Sequence, residues 1–248
     1  MKVIIFGASG MVGQGALREC LHDPRVSEVL SIGRSPLAQS HAKLRQLSVP
    51  DLRDLSALEP QLAGYDACFF CLGISSSGLS EAEYRAVTYD LTLAAARPLA
   101  TLNPSMVFVY VSGLGTDSSE RGRSMWARVK GATENALLAL PFHAVMFRPG
   151  AIVPLHGIRS KTRLYDLAYR LFKPLWLGAL RLFPARVSST ERIGRAMLAV
   201  ARRESALRII EPAQINRLAA SCNNGVNHPA ANTPPPGGAG VRYPADGE

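Results

Sequence analysis

Residues 2–15, Lys-Val-Ile-Ile-Phe-Gly-Ala-Ser-Gly-Met-Val-Gly-Gln-Gly, decide the fold of this chain. Val3, Ile4, Ile5 and Phe6 form a short unbroken apolar run rich in β-branched residues, the pattern of a strand buried on both faces of a parallel sheet. Gly7, Gly10 and Gly13 follow at three-residue spacing, with Ser9 inside the turn. Met11, Val12, Ala16, Leu17, Cys20 and Leu21 then recur as one face of a helix. Strand, glycine turn and helix together make a pyrophosphate site. The first glycine allows the tight turn, the second lets backbone approach the phosphates, and the third lets helix and strand pack closely. Free N–H groups of the first helical turn then face the anion. The ligand this stretch predicts is a dinucleotide.

The alternation continues outward from there. Residues 29–32 read as a second strand ending at Gly33, Arg34 and Ser35. In a doubly wound sheet that strand end meets the adenosine ribose, about 20 residues past the glycines. An acid there would accept from a free 2′-hydroxyl. Arg34 beside Ser35 suits a 2′-phosphate instead, so NADP is expected ahead of NAD. Residues 47–49 read as a third strand, with Asp51 and Leu52 after it, and 66–72 as a buried fourth strand. Cys71 and Leu72 end that strand, and Gly73 leaves room for a cofactor to pass.

Residues 80–102 read as one long helix, opened by a Ser80/Glu83 capping box, with Tyr84, Val87, Leu91, Ala94 and Ala95 on its apolar face. A fifth strand at 106–111 delivers Ser112 and Gly113. A helix at 124–140 follows, and a sixth strand at 145–147 runs into Arg148, Pro149 and Gly150. Such alternation predicts a parallel sheet with helices on both faces, and ligands bind beyond the carboxyl ends of its strands. Gly7, Arg34, Asp51, Gly73, Ser112 and Pro149 all fall at those ends.

The G-x-x-G-x-x-G turn, Gly33-Arg34, Cys71-Leu72-Gly73, Val111-Ser112-Gly113, Val129-Lys130-Gly131 and Arg148-Pro149-Gly150 together resemble the atypical short-chain dehydrogenase/reductases related to the Tat-interacting oxidoreductase-like and epimerase/dehydratase proteins. The likeness spans about residues 1–215. It implies a Rossmann-type doubly wound sheet and an oxidoreductase or epimerase using NADP, with NAD as the alternative. It implies that Asp51 reaches the adenine amino group, that Lys130 binds the nicotinamide ribose, and that Ser112 hydrogen-bonds the oxygen being formed. Lys130 belongs to a Tyr-x-x-x-Lys pair whose i, i+4 spacing puts both side chains on one helical face. Here the tyrosine position holds Trp126. An indole N–H donates a hydrogen bond but supplies no proton near neutrality, so the usual acid–base step is lost. Tyr89 on the preceding helix, or water, is the expected substitute.

From 151 to about 203 the alternation lapses, and a small helical cap is expected on a domain spanning 1–222. Residues 223–248 are rich in Asn, Pro, Gly and Ala and are expected to be disordered. Residues 141–203 hold twelve Lys and Arg against Asp166 and Glu191, which accounts for the net charge of +9. An anionic or amphipathic small substrate is expected to meet that surface. An alternative is a peripheral membrane or protein contact through 159–186, where Leu164, Leu167, Ala168, Leu171, Phe172 and Leu175 form an apolar stripe with Arg163, Arg170 and Lys173 off it. In that case the chain is a non-catalytic, NADP-binding redox sensor. No helix-turn-helix or aromatic-basic pattern accompanies the charge, so nucleic acid is not expected.

Cys68 and Cys71 have the spacing of a redox or zinc pair, but they lie in an apparent strand and no second pair completes a metal site. Buried thiols in a reducing cytoplasm are expected. No leader precedes the first strand in this reading, and the oligomeric state stays open.

Overall fold

The computed structural model describes residues 1–158 and 173–222. Its frame is a seven-stranded, all-parallel sheet. Strand β1 (Lys2–Phe6) lies between β2 (Glu28–Gly33) and β4 (Ala67–Phe70), with Val3 opposite both Val29 and Ala67. Outside β2 runs β3 (Leu44–Ser48). Outside β4 run β5 (Val107–Val111), β6 (His143–Phe147) and the short β9 (Ile209–Ile210). The order 3-2-1-4-5-6-9 reverses direction between β1 and β4, and that reversal opens a crevice at the carboxyl ends. This is the doubly wound α/β architecture.

Helices cover both faces. On one lie α2 (Glu59–Leu62), α3 (Glu81–Arg85), α4 (Leu91–Leu102) and α5 (Met125–Leu138), packed on Phe6, Phe70, Phe108 and Tyr110. The rings of Phe6 and Phe70 stand 5.3 Å apart, and those of Phe108 and Phe142 stack at 4.8 Å. On the other face α1 (Met11–His22) and a helix at Thr190–Ala201 pack on Val3, Ile5, Phe69 and Val109. Alternate residues of each strand serve opposite faces, as the period of two requires.

Three local differences from the sequence expectation have physical causes. The third strand starts at Leu44, earlier than 47, because it is the sheet edge. Its residues stay half exposed, which leaves little apolar signal to mark the start. The long helix carries one π-type turn at Ala86–Asp90 between α3 and α4. That wider turn shifts the buried face, so Val87 is 40% exposed while Thr88 and Thr92 turn inward. Thr92 Oγ1 donates to Thr88 O at 2.5 Å, which satisfies the buried hydroxyl. The capping box forms as expected, with Ser80 Oγ accepting from Glu83 N and Glu83 Oε2 from Ser80 N.

Beyond Gly150 the chain forms β7 (Ala151–Val153), α6 (Lys173–Leu182), β8 (Val187–Ser189), α7 (Thr190–Ala201) and α8 (Pro212–Ser221). β7 and β8 pair in parallel as a separate two-stranded ribbon. Helix α7, within the region the sequence assigns to the cap, is a core element. Ile193, Ala196, Met197 and Val200 are fully buried, and Gly15 of α1 abuts Thr190 so closely that a Cβ there would lie 2.5 Å from the Thr190 carbonyl. The expected apolar stripe at 164–172 with Arg163 and Arg170, and the expected disordered tail at 223–248, lie outside the described residues, as do the side chains of Lys173 and Leu175. Among the described residues no helix is long and apolar enough to cross a membrane.

Candidate functional site

The glycine turn opens at the end of β1. Gly7 sits at φ +78°, and a Cβ on it would stand 2.9 Å from the backbone of Cys71 and Leu72, which leave β4 alongside. Gly13 meets the turn from the helix side, where a Cβ would lie 2.1 Å from Gly7 O. Only hydrogen fits at either position. Gly10 is the N-cap of α1, its N–H donates to Gly7 O at 2.9 Å, and no acid occupies the first turn. The orphan N–H groups of Met11, Val12 and Gly13 therefore remain for an anion. The exposed Ser9 borders them. This donor set and this clearance fit the pyrophosphate of a dinucleotide.

At the adenosine end, β2 delivers Gly33, Arg34 and Ser35, the last two exposed. Arg34 has no carboxylate partner among the described residues. Asp51 accepts the Arg53 N–H at 3.0 Å and pairs with its guanidinium at 3.3 Å, both side chains largely exposed. Its carboxylate thus closes the local turn. The Leu52 side chain is in the core beside Leu55.

At the other end, Cys71, Leu72 and Gly73 leave β4 and Ser112 leaves β5. Lys130 reaches between them from α5. Its Nζ donates to Val111 O at 3.1 Å, lies 5.2 Å from the centre of the Tyr110 ring, and would be 4.0 Å from a Cβ on Gly73. Lys130 is only 8% exposed, and no carboxylate pairs with it among the described residues. Burial pulls its ammonium down to about 8, with Glu134 one turn on opposing the shift. Trp126, one turn before Lys130, lays its ring over the loop after β5. Cβ atoms on Gly113 and Gly115 would stand 3.8 and 3.6 Å from it.

Ser112 is otherwise engaged. Its hydroxyl contacts Glu134 Oε1 at 2.5 Å and Phe147 O at 3.1 Å. Glu134 is fully buried and is held by Arg148, whose Nε donates to Oε1 at 3.1 Å and whose Nη2 pairs with Oε2. Arg148 Nη2 also donates to Ser118 Oγ, and that carboxylate holds the guanidinium more firmly charged. The sequence reading missed Glu134. Its signal was present: a glutamate four residues after Lys130 on a helix facing an arginine at a strand end. Pro149 O accepts from Leu114 N at 2.9 Å, while Gly150 presses against the strand before β8, where a Cβ would meet Arg186 O at 2.1 Å. Tyr89 packs under the Arg85 guanidinium at 3.9 Å, half buried against the core. Cys20 and Cys68 are buried free thiols, and burial also pushes Cys71 up to about 12.

The chain is 31% identical over 178 residues to a protein named mitochondrial fmp52 from Aspergillus clavatus, an alignment covering 68% of this chain and 73% of that one. The chain belongs to the atypical short-chain dehydrogenase/reductases. It is also 30% identical over 155 residues to protein HTATIP2 of Rattus norvegicus, covering 61% of this chain and 63% of the other. Among solved structures, the Bordetella bronchiseptica enzyme WbmH in complex with NAD+ superposes with a TM-score of 0.60 at 19% identity, covering 85% of this chain and 75% of that one. No family model matches the chain. The cytoplasmic expectation is corrected here. Several fungal relatives of this reductase-family chain are named mitochondrial proteins, which points to the mitochondrion. Free buried thiols exclude an oxidising compartment but do not choose among reducing ones.

Proposed function

We propose that the chain is an NADP(H)-binding oxidoreductase of the short-chain reductase type, working on a small molecule with Trp126 at the position of the usual catalytic tyrosine. The observation that carries the reading is the Gly7–Gly13 cradle, closed to any side chain and open to an anion. Gly7, Ser9, Gly10, Met11, Val12 and Gly13 hold the pyrophosphate. Arg34 and Ser35 meet the adenosine 2′-phosphate. Asp51 and Leu52 flank the adenine; Cys71, Leu72, Gly73, Pro149 and Gly150 border the nicotinamide half. When bound, the reduced dinucleotide supplies a hydride. Lys130 contributes positive charge where the ribose and an acceptor oxygen meet. Ser112, tied to Glu134, positions α5 against β5 and β6 and spends its hydroxyl there. The epimerase reading is the weaker one, because oxidising a sugar hydroxyl needs a base that Trp126 cannot supply.

Calorimetry with both nucleotides tests the cofactor reading. NADPH binds more tightly than NADH by about 1.5–3 kcal/mol, the worth of a charge-assisted hydrogen bond, and Arg34→Ala removes most of the difference. Equal affinities in the wild type defeat the NADP assignment.

The surface around 159–186 keeps a second reading alive. Leu182 and Phe183 are 74% and 58% exposed at the end of α6, between Arg181 and Arg186. Apolar side chains flanked by cations suit an anionic lipid surface. Sedimentation with anionic vesicles at low salt, lost at high salt, supports it, and no sedimentation rejects it. Three arginines of the basic region are spent on ion pairs: Arg148 with Glu134, Arg195 with Glu19, and Arg202 with Asp23. That pairing weakens the expectation of an anionic substrate.

A further inference from the structure

We infer that the acceptor is a flat conjugated carbonyl compound of the quinone class, taken by a site whose rim is apolar and whose only polar tool toward the substrate is the Lys130 ammonium. This deepens the reading above and rests on it. The first observation is the set of hydroxyls. Trp126 replaces the tyrosine, the Ser112 hydroxyl is bound between Glu134 Oε1 and Phe147 O, and Tyr89 is stacked under Arg85. Tyr110 lies beside Lys130 but is fully buried, and its hydroxyl has no partner. Burial drives that phenol far above its ordinary value, so it does not give up a proton.

The second observation is the rim. Ile74 follows Gly73, whose Cβ position is 4.0 Å from Lys130 Nζ, and Leu114 lies between the two glycines that carry the Trp126 ring. Ile74 and Leu114 are 46% and 44% exposed, large apolar side chains facing solvent at the carboxyl end of the sheet. A flat apolar molecule laid on Trp126 covers such surface.

Chemistry connects the two observations. Hydride addition to a simple ketone leaves an alkoxide about as basic as hydroxide, whose parent water has a pKa of about 15.7, so the step needs a proton donor. A quinone takes up one hydride, two electrons with one hydrogen, from the reduced dinucleotide. Its carbonyl π electrons move into the ring, and it leaves as the hydroquinone monoanion. That anion is phenol-like, with a conjugate acid near 10 as for tyrosine, and it collects its second proton from water. A buried ammonium stabilises it by charge alone. Acid-free reduction is therefore open to a quinone and closed to a ketone.

The test uses the full chain with NADPH and two probes, menadione and cyclohexanone. Menadione is expected to be reduced at least about 100-fold faster than cyclohexanone, the lower end of what a general acid supplies. Trp126→Tyr raises the cyclohexanone rate at least tenfold. A readout without turnover accompanies it. In the NADP+-loaded Trp176→Phe protein, menadione quenches the remaining indole saturably, and Trp126→Phe abolishes the effect. Cyclohexanone reduced as fast as menadione, or no saturable quenching, overturns the inference. Failure of NADPH to bind in calorimetry defeats the dinucleotide reading itself and is seen before any rate is measured.

Discussion

Lys130 is charged, buried and without a carboxylate partner among the described residues, so it should weaken the fold it belongs to. Its folded value of about 8 lies below the model value of 10.5. A base whose folded pKa is depressed is held less tightly by the proton in the native state. Below pH 8 the lysine is protonated in both states, and the native one bears the full burial penalty, about 3 kcal/mol from a shift of this size. Between pH 8 and 10.5 the native lysine sheds its proton while the unfolded one keeps it, so stability rises with pH. At pH 9.5 the penalty has fallen to about 1.5 kcal/mol. The wild type should therefore gain about 2 kcal/mol between pH 7 and 9.5 relative to Lys130→Met. Comparing the two proteins at both values cancels the other titrating groups and the side-chain packing change. Urea unfolding at pH 7.0 and 9.5, extrapolated with a common slope, measures it. Equal pH dependence in the two proteins would refute the reasoning, because the ammonium would then be solvated and not the isolated charge described above.

Further outcomes follow from the same geometry. Glu134→Ala strands Arg148 and should cost about 3–5 kcal/mol; adding Arg148→Met should recover part of that loss in thermal or urea unfolding. Gly13→Ala places a methyl group 2.1 Å from Gly7 O and should abolish calorimetric NADPH binding, whereas Gly10→Ala, with its nearest contact at 3.3 Å, should fold normally. Val87→Thr should change the midpoint of unfolding by less than about 0.5 kcal/mol, since the π turn leaves Val87 outside the core. Thr92→Val removes a hydroxyl bonded to Thr88 O and should cost about 1 kcal/mol.

Local chemistry made much of this protein legible in its sequence. Continuous apolar runs such as Val3–Phe6 and Ala67–Phe70 are strands because only a strand buried on both faces needs apolar residues at every position. The glycine turn is equally local, since a positive φ and a close approach each select glycine whatever lies further along the chain. Lys130 and Trp126 sit on one helical face by spacing alone. Tertiary structure decided the rest. The direction of the Ser112 hydroxyl depends on Glu134, 22 residues on, and on the Phe147 carbonyl, 35 residues on, and no local pattern encodes either contact. The π turn that exposes Val87 depends on how α3 and α4 meet α5. Helix α7 resembles a cap segment in isolation and becomes core because Gly15 and Gly194 let two helices touch at backbone distance. Periodicity reports which face of an element is apolar. Which other element covers that face, and which hydroxyl is spent in doing so, is settled only when distant segments pack.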